Sequence, residues 1–176
     1  MRKHRFLRAD FGFVQYPLPP PPHLCLKNNE MEKNHFKSFT ANFEVDSSPQ
    51  HVFNCIREIP KWWTSDFCGN TAKLHDEFVI CHPGAHYSKQ QLIELIPGKK
   101  LVWLVTESEL SWLKNKDEWT GTKMVFDISH EGDMTKLQFT HEGLIPEKEC
   151  YDRCTQGWNM VIKEQLFNFV TDGKTI

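Results

Sequence analysis

The sequence predicts an α+β fold: a curved antiparallel β-sheet wrapped around a long C-terminal helix, with two short helices after the first strand. Three observations predict it. An alternating segment at residues 38–45 runs directly into a helix start. Five further segments of strand character follow between residues 77 and 142, separated by strong turn signals. The C-terminal part then carries one apolar stripe at spacings of three and four.

Taken in order, Phe39, Ala41, Phe43 and Val45 alternate with Ser38, Thr40, Asn42 and Glu44, a strand with one buried face. Asp46-Ser47-Ser48-Pro49 supplies a polar cap and a proline in the first helical turn. Val52, Phe53 and Ile56 form the apolar face of that helix, and Pro60 ends it. Trp62 and Trp63 follow in a short second helix or loop, where adjacency lets only one of them turn inward easily. Strands are expected over 77–82, 86–96, 100–107, 121–129 and 134–142. Pro83-Gly84, Pro97-Gly98-Lys99-Lys100 and Glu131-Gly132-Asp133 break them. Met124, Phe126 and Ile128 oppose Lys123, Asp127 and Ser129, and Thr135, Leu137, Phe139 and His141 oppose Lys136, Gln138 and Thr140, so the meander is wet on one face. The last helix is expected to open at Pro146, with Glu147 and Glu149 suited to its positive end. Its stripe is Cys150, Cys154, Trp158, Val161, Ile162, Gln165, Leu166 and Phe169, and Gly173 closes it.

Two regions differ in composition. Residues 1–30 carry a balance of +3 and hold five of the ten prolines, all within Pro17 to Pro22. The remainder carries −5. Residues 1–30 therefore read as a proline-rich leader that lacks a packed core, and residues 31–176 as the folded domain. Met31 opens the globular pattern and is a candidate start of the native product. The leader has basic residues but no apolar stretch of signal-peptide length and no serine.

Composition removes several function classes. The 176 residues are 39% hydrophobic and 25% charged, with a formal net charge of −2. No apolar run is long enough to span a membrane, and the charge argues against a nucleic-acid footprint. The six cysteines include no CxxC pair and no secretory signal accompanies them, so reduced thiols and a cytoplasmic location are expected. Cys150 and Cys154 face one side of the last helix as two small buried thiols. Cys81-His82-Pro83-Gly84-Ala85-His86 gathers three ligand types around a turn, but no fourth stands near, and no metal is expected. No dinucleotide, P-loop, nucleophile-elbow or zinc-protease motif occurs, and no cofactor is expected.

Several local sequences resemble one known family. Val45-Asp46-Ser47-Ser48-Pro49-Gln50-His51-Val52-Phe53 resembles a first strand running into an "sPeeVF" helix start. Lys61-Trp62-Trp63 resembles a "kWW" element, Thr140-His141-Glu142-Gly143-Leu144-Ile145-Pro146 a "T-H-x-G-L" entry to the last helix, and Gly157-Trp158 that helix's "GW" pair. In order and spacing these are similar to the START and birch-pollen-allergen superfamily (SRPBCC), in the bacterial branch named after the activator of the heat-shock protein ninety ATPase. The likeness covers about residues 36–172. It implies a helix-grip fold with a cavity between sheet and long helix. Its members bind lipids, sterols, polyketides or plant hormones, and some are cyclases or aromatase-like enzymes. The branch's name implies a chaperone-activating role by descent.

Six tryptophans are the most unusual residues, since each buries a large ring yet keeps one N–H that needs a partner. With the cavity that the resemblance implies, the residues expected to line it are Trp62, Phe78, Tyr87, Trp103, Trp119, Phe126, His141 and Trp158. The expected ligand is a small hydrophobic or aromatic molecule. An enzyme in the same cavity would use His141 with a carboxylate or a tyrosine such as Tyr87; otherwise His141 satisfies a carbonyl or hydroxyl. A module regulating a chaperone ATPase is the third reading. The segment Glu107–Trp119 is either a lid or a surface loop.

Overall fold

The computed structural model describes residues 38–176. The leader expected over residues 1–30 lies outside the described residues. Strand β1 (Phe39–Val45) alternates buried and exposed along its whole length, as its sequence pattern demands. Ser48 then caps α1 (Pro49–Arg57), its side chain accepting from the His51 N–H at 3.2 Å. The helix turns Val52, Phe53, Cys55 and Ile56 inward. Helix α2 (Ile59–Trp62) follows at once. Both Trp62 and Trp63 are buried, against the expectation that only one would be. The end of the short helix allows this, because Trp63 leaves its axis and stacks on Trp62 at 5.9 Å.

The remaining strands are β2 (Phe67–Gly69), β3 (Glu77–His82), β4 (His86–Ile96), β5 (Lys100–Leu110), β6 (Lys123–Glu131) and β7 (Met134–Glu142). They form one seven-stranded antiparallel sheet in the order β1-β7-β6-β5-β4-β3-β2. The sheet is curved and does not close. Register shifts in the β4–β5 ladder, between Lys89 and Gln90 and between Leu92 and Glu94, bend its longest pair of strands. Strand β2 escapes the sequence patterns because three residues show no period. Strand β5 runs three residues further than expected, which takes Glu107–Leu110 out of the loop.

The C-terminal helix is α3 (Tyr151–Met160), continued without a break by a π-helical segment (Val161–Leu166) and α4 (Phe167–Asp172). It spans 22 residues, and Gly173, at φ 67°, ends it. It begins at Tyr151 rather than Pro146. The cause is Glu118, whose carboxylate accepts the N–H groups of Glu149 (3.0 Å) and Cys150 (2.9 Å), so the residues before Tyr151 fold as turns. Burial raises the Glu118 pKa, but these backbone donors outweigh it and hold the carboxyl below its ordinary range.

The core fills the concave side of the sheet. Phe78, Leu92, Trp103, Phe126 and Phe139 face inward from the strands, and Ile162, Leu166 and Val170 meet them from the long helix. The fold is a helix-grip, as the sequence predicts.

Candidate functional site

The helix does not cover the whole concavity. At the end nearest its N-terminal half a cleft of about 370 Å³ remains. Trp63, Trp112, Trp119 and Trp158 wall it. Arg153, Cys154, Gly157, Met160, Val161 and Gln165 border it along the helix, and His82 and His86 border it from the β3–β4 hairpin. Met160 is 48% exposed, so the cleft opens to solvent beside it.

Each wall is positioned by ordinary forces. Period-2 alternation along β4 sends His86, Ser88, Gln90 and Leu92 inward. Glu118, tied to the helix start, fixes the neighbouring Trp119. Trp119 stacks on Trp158 at 5.8 Å and 16° and meets the edge of His86 at 4.8 Å. Trp158 in turn lies 5.0 Å from Trp63, which stacks at 6.4 Å on Trp103 in the core. One run of aromatic rings thus joins the core to the cleft.

A hydrogen-bonded chain lies behind these rings. The indole N–H of Trp158 donates to His141 Nδ1 at 2.9 Å, which fixes the imidazole proton on Nε2. That Nε2–H donates to Thr122 Oγ1 at 2.9 Å, and the Thr122 hydroxyl donates to the Trp119 carbonyl at 2.5 Å. Burial pushes the His141 pKa down to about 3, so the ring is neutral. Both its nitrogens are engaged, and it has no lone pair or proton to offer a substrate. His86 is similar. With the Gln90 amide oriented to satisfy its neighbours, Ser88 donates to Gln90 Oε1 and accepts from His86 Nε2 at 2.8 Å. Burial, helped by the neighbouring His82, lowers the His86 pKa to about 4.

Three buried side-chain polar atoms among the described residues have no hydrogen-bond partner: Trp103 Nε1 in the core, and Trp119 Nε1 and Gln165 Oε1, which lie beneath the surface of residues that border the cleft. The sulfur of Cys154 stands next to the Trp119 indole. Its thiol is held low because Cys150 donates to it, whereas the same bond and burial push Cys150 up. At the mouth, Arg153 sits over the Trp112 ring at 4.7 Å, and the Lys114 N–H donates to Glu149 at 3.2 Å. These contacts strap the loop after β5 to the helix.

Of the eight residues expected to line a cavity, Trp119 and Trp158 border the cleft. Trp62, Phe78, Trp103 and Phe126 are fully buried and pack against one another or their neighbours, filling the concavity instead of facing a void. His141 lies one layer behind the cleft wall. Tyr87 points to the opposite face of the sheet, since its neighbour His86 faces inward, and its hydroxyl reaches Glu107 at 3.5 Å. Sequence reasoning passed over Gln165, Arg153 and Glu118 as site residues. Gln165 had a visible signal, as a polar residue inside the apolar stripe. Among the described residues, no group of three or more His, Cys, Asp or Glu side chains assembles that could hold a metal ion, and no helix is long and apolar enough to cross a membrane.

Similar folds occur among solved structures. The Aha1 dimer from Colwellia psychrerythraea matches with a TM-score of 0.63 at 19% identity, covering 78% of this chain and 98% of that one. Protein CV1439 from Chromobacterium violaceum matches at 0.54 and 17% identity, covering 76% of this chain and 96% of that one. CalU16 from Micromonospora echinospora matches at 0.55 and 16%, covering 77% of each chain. No curated protein matches the chain. Residues 32–171 match the family described as Activator of Hsp90 ATPase homolog 1-like protein, and the chain belongs to that family.

Proposed function

We propose that the chain binds a small, flat aromatic molecule in the cleft beside the C-terminal helix. The observation that carries this is the wall of four tryptophans around about 370 Å³, a volume within the usual range of small-molecule sites. Indole faces offer large contact area at little conformational cost. The arrangement supports binding over catalysis by His141, because both nitrogens of that ring are engaged within the protein, and Tyr87 belongs to the other face of the sheet. Family membership favours a second reading, the regulation of a chaperone ATPase.

Titration of the full chain with a panel of aromatic compounds and hydrophobic dyes tests the first reading. Saturable quenching of tryptophan fluorescence is expected, with a melting temperature that rises with ligand concentration by mass action. A panel without any saturable binder would sink it. An unchanged ATPase rate of the chaperone in the presence of the chain would sink the second.

A further inference from the structure

The charge around the cleft narrows its ligand further than its rings do. Residues 31–176 hold more acidic than basic side chains, yet no aspartate, glutamate or lysine borders the cleft. Arg153 is the one bordering side chain that is charged at every ordinary pH. It lies exposed at the mouth. Each of the six ion pairs among the described residues uses a lysine, so Arg153 balances none of them. Arg57 spends its guanidinium on the Thr71 and Ala72 carbonyls, whereas Arg153 donates to no group among the described residues. Two carboxylates of the adjoining loop and turn are committed elsewhere. Glu118 accepts the Glu149 and Cys150 N–H groups, and Glu149 accepts the Lys114 N–H.

Arg153 is held by its face. Its guanidinium lies over the Trp112 ring at 4.7 Å. Stacking of this kind uses the flat side of the group and leaves the N–H donors around its edge free. Trp112 is steadied in turn, because the bond from Lys114 to Glu149 ties its loop to the start of the helix. A planar fork of donors thus stands at the mouth of an apolar, aromatic cleft.

We propose that the cleft takes flat aromatic carboxylates, the rings lodged among the tryptophans and the carboxylate on the guanidinium edge of Arg153. This rests on the aromatic-binding reading above and narrows it to anions, so neutral and cationic aromatics of the same shape bind less well. The match is one of geometry as well as charge, since a carboxylate accepts two parallel N–H bonds from a guanidinium. At the mouth both charges keep part of their water, which avoids the cost of burying an ion pair.

Three probes of one shape separate charge from ring: 2-naphthoate, its neutral amide 2-naphthamide, and the cationic 2-naphthylmethylammonium. Measured on the full chain near neutral pH and at low salt, naphthoate should bind about tenfold tighter than naphthamide, the value of a well-made charged hydrogen bond at a partly exposed site. The cation should bind more weakly than either. Raising the salt to about 0.5 M should narrow the gap between naphthoate and naphthamide, because exposed charges are screened. Arg153→Met keeps an apolar stem and removes both the charge and the fork, so within that variant naphthoate should bind no better than naphthamide. Naphthoate and naphthamide within about twofold of each other on the unaltered chain, or a gap that survives Arg153→Met, would overturn the carboxylate anchor while the aromatic cleft stands. If none of the three binds saturably, the cleft reading falls too, and the proposal with it. Should the variant fail to fold, the three affinities and their salt dependence on the unaltered chain still decide.

Discussion

The two ends of the concavity use the same residue for opposite ends. At the closed end Trp62 and Trp103 are fully buried, with Phe126 meeting both edge to face. At the open end Trp63, Trp112, Trp119 and Trp158 turn ring surface toward a cleft. The residues opposite make the difference. Leu92, Phe78 and Phe126 pack against Trp103, whereas the inward positions of β4 at the open end are His86, Ser88 and Gln90, which spend their volume on one another. Trp63 and Trp158 are walls on one side and core on the other, since Trp63 stacks on Trp103 and Trp158 lies 4.6 Å from Phe139.

The comparison breaks most easily at Trp103. Trp103→Ala should destabilise the chain by about 3–5 kcal/mol in urea unfolding, as large-to-small changes in a packed core do. A loss under ~1 kcal/mol would mean that the closed end is not closed. Acid should strike the open end next. His86 and His141 have folded pKa values near 4 and near 3, against 6.5 for the free side chain. Below 6.5 the unfolded chain therefore binds more protons than the folded one. Stability is full above that pH and declines as the pH falls toward the folded values. At pH 5 the loss is roughly 2 kcal/mol for each histidine. Unfolding curves that coincide at pH 7.5 and pH 5 would contradict the neutral, hydrogen-bonded chain behind the cleft. Trp112→Ala should do least, under about 1 kcal/mol, because its contact with Arg153 lies at the exposed mouth. A larger loss would place Trp112 itself, like its neighbour Leu113, within the core.

Much of the fold was legible because its punctuation is local. Pro83-Gly84, Pro97-Gly98 and Gly132 need only their own backbone to turn the chain, and Gly98 and Gly132 do so at φ 67° and 62°. The alternation of β1 and β7 likewise needs no knowledge of partners. The site was less legible, since lining depends on how far one helix covers the sheet. Nothing near Phe78 or Phe126 in the sequence distinguishes a filled hollow from an open one. Tyr87 was separable by parity from His86, but only once the inward residue of β4 was known. The π-helical segment leaves no trace in periodicity, because one extra residue in a turn hardly disturbs a stripe already spaced at three and four. Glu118 acts on Glu149 and Cys150 across 31 and 32 residues, a distance at which sequence pattern is silent.

The run of rings from core to cleft also has an optical consequence. Trp62, Trp103 and Trp158 each neighbour Trp63, and Trp119 neighbours Trp158, at centroid distances of 5.0 to 6.4 Å. Chromophores this close share excitation by dipole coupling, so light absorbed by a buried indole migrates along the row. Near-ultraviolet circular dichroism should show coupled bands instead of independent ones. An acceptor lodged against Trp119 should then drain emission from rings it never touches, which makes the whole core an antenna for events at the mouth.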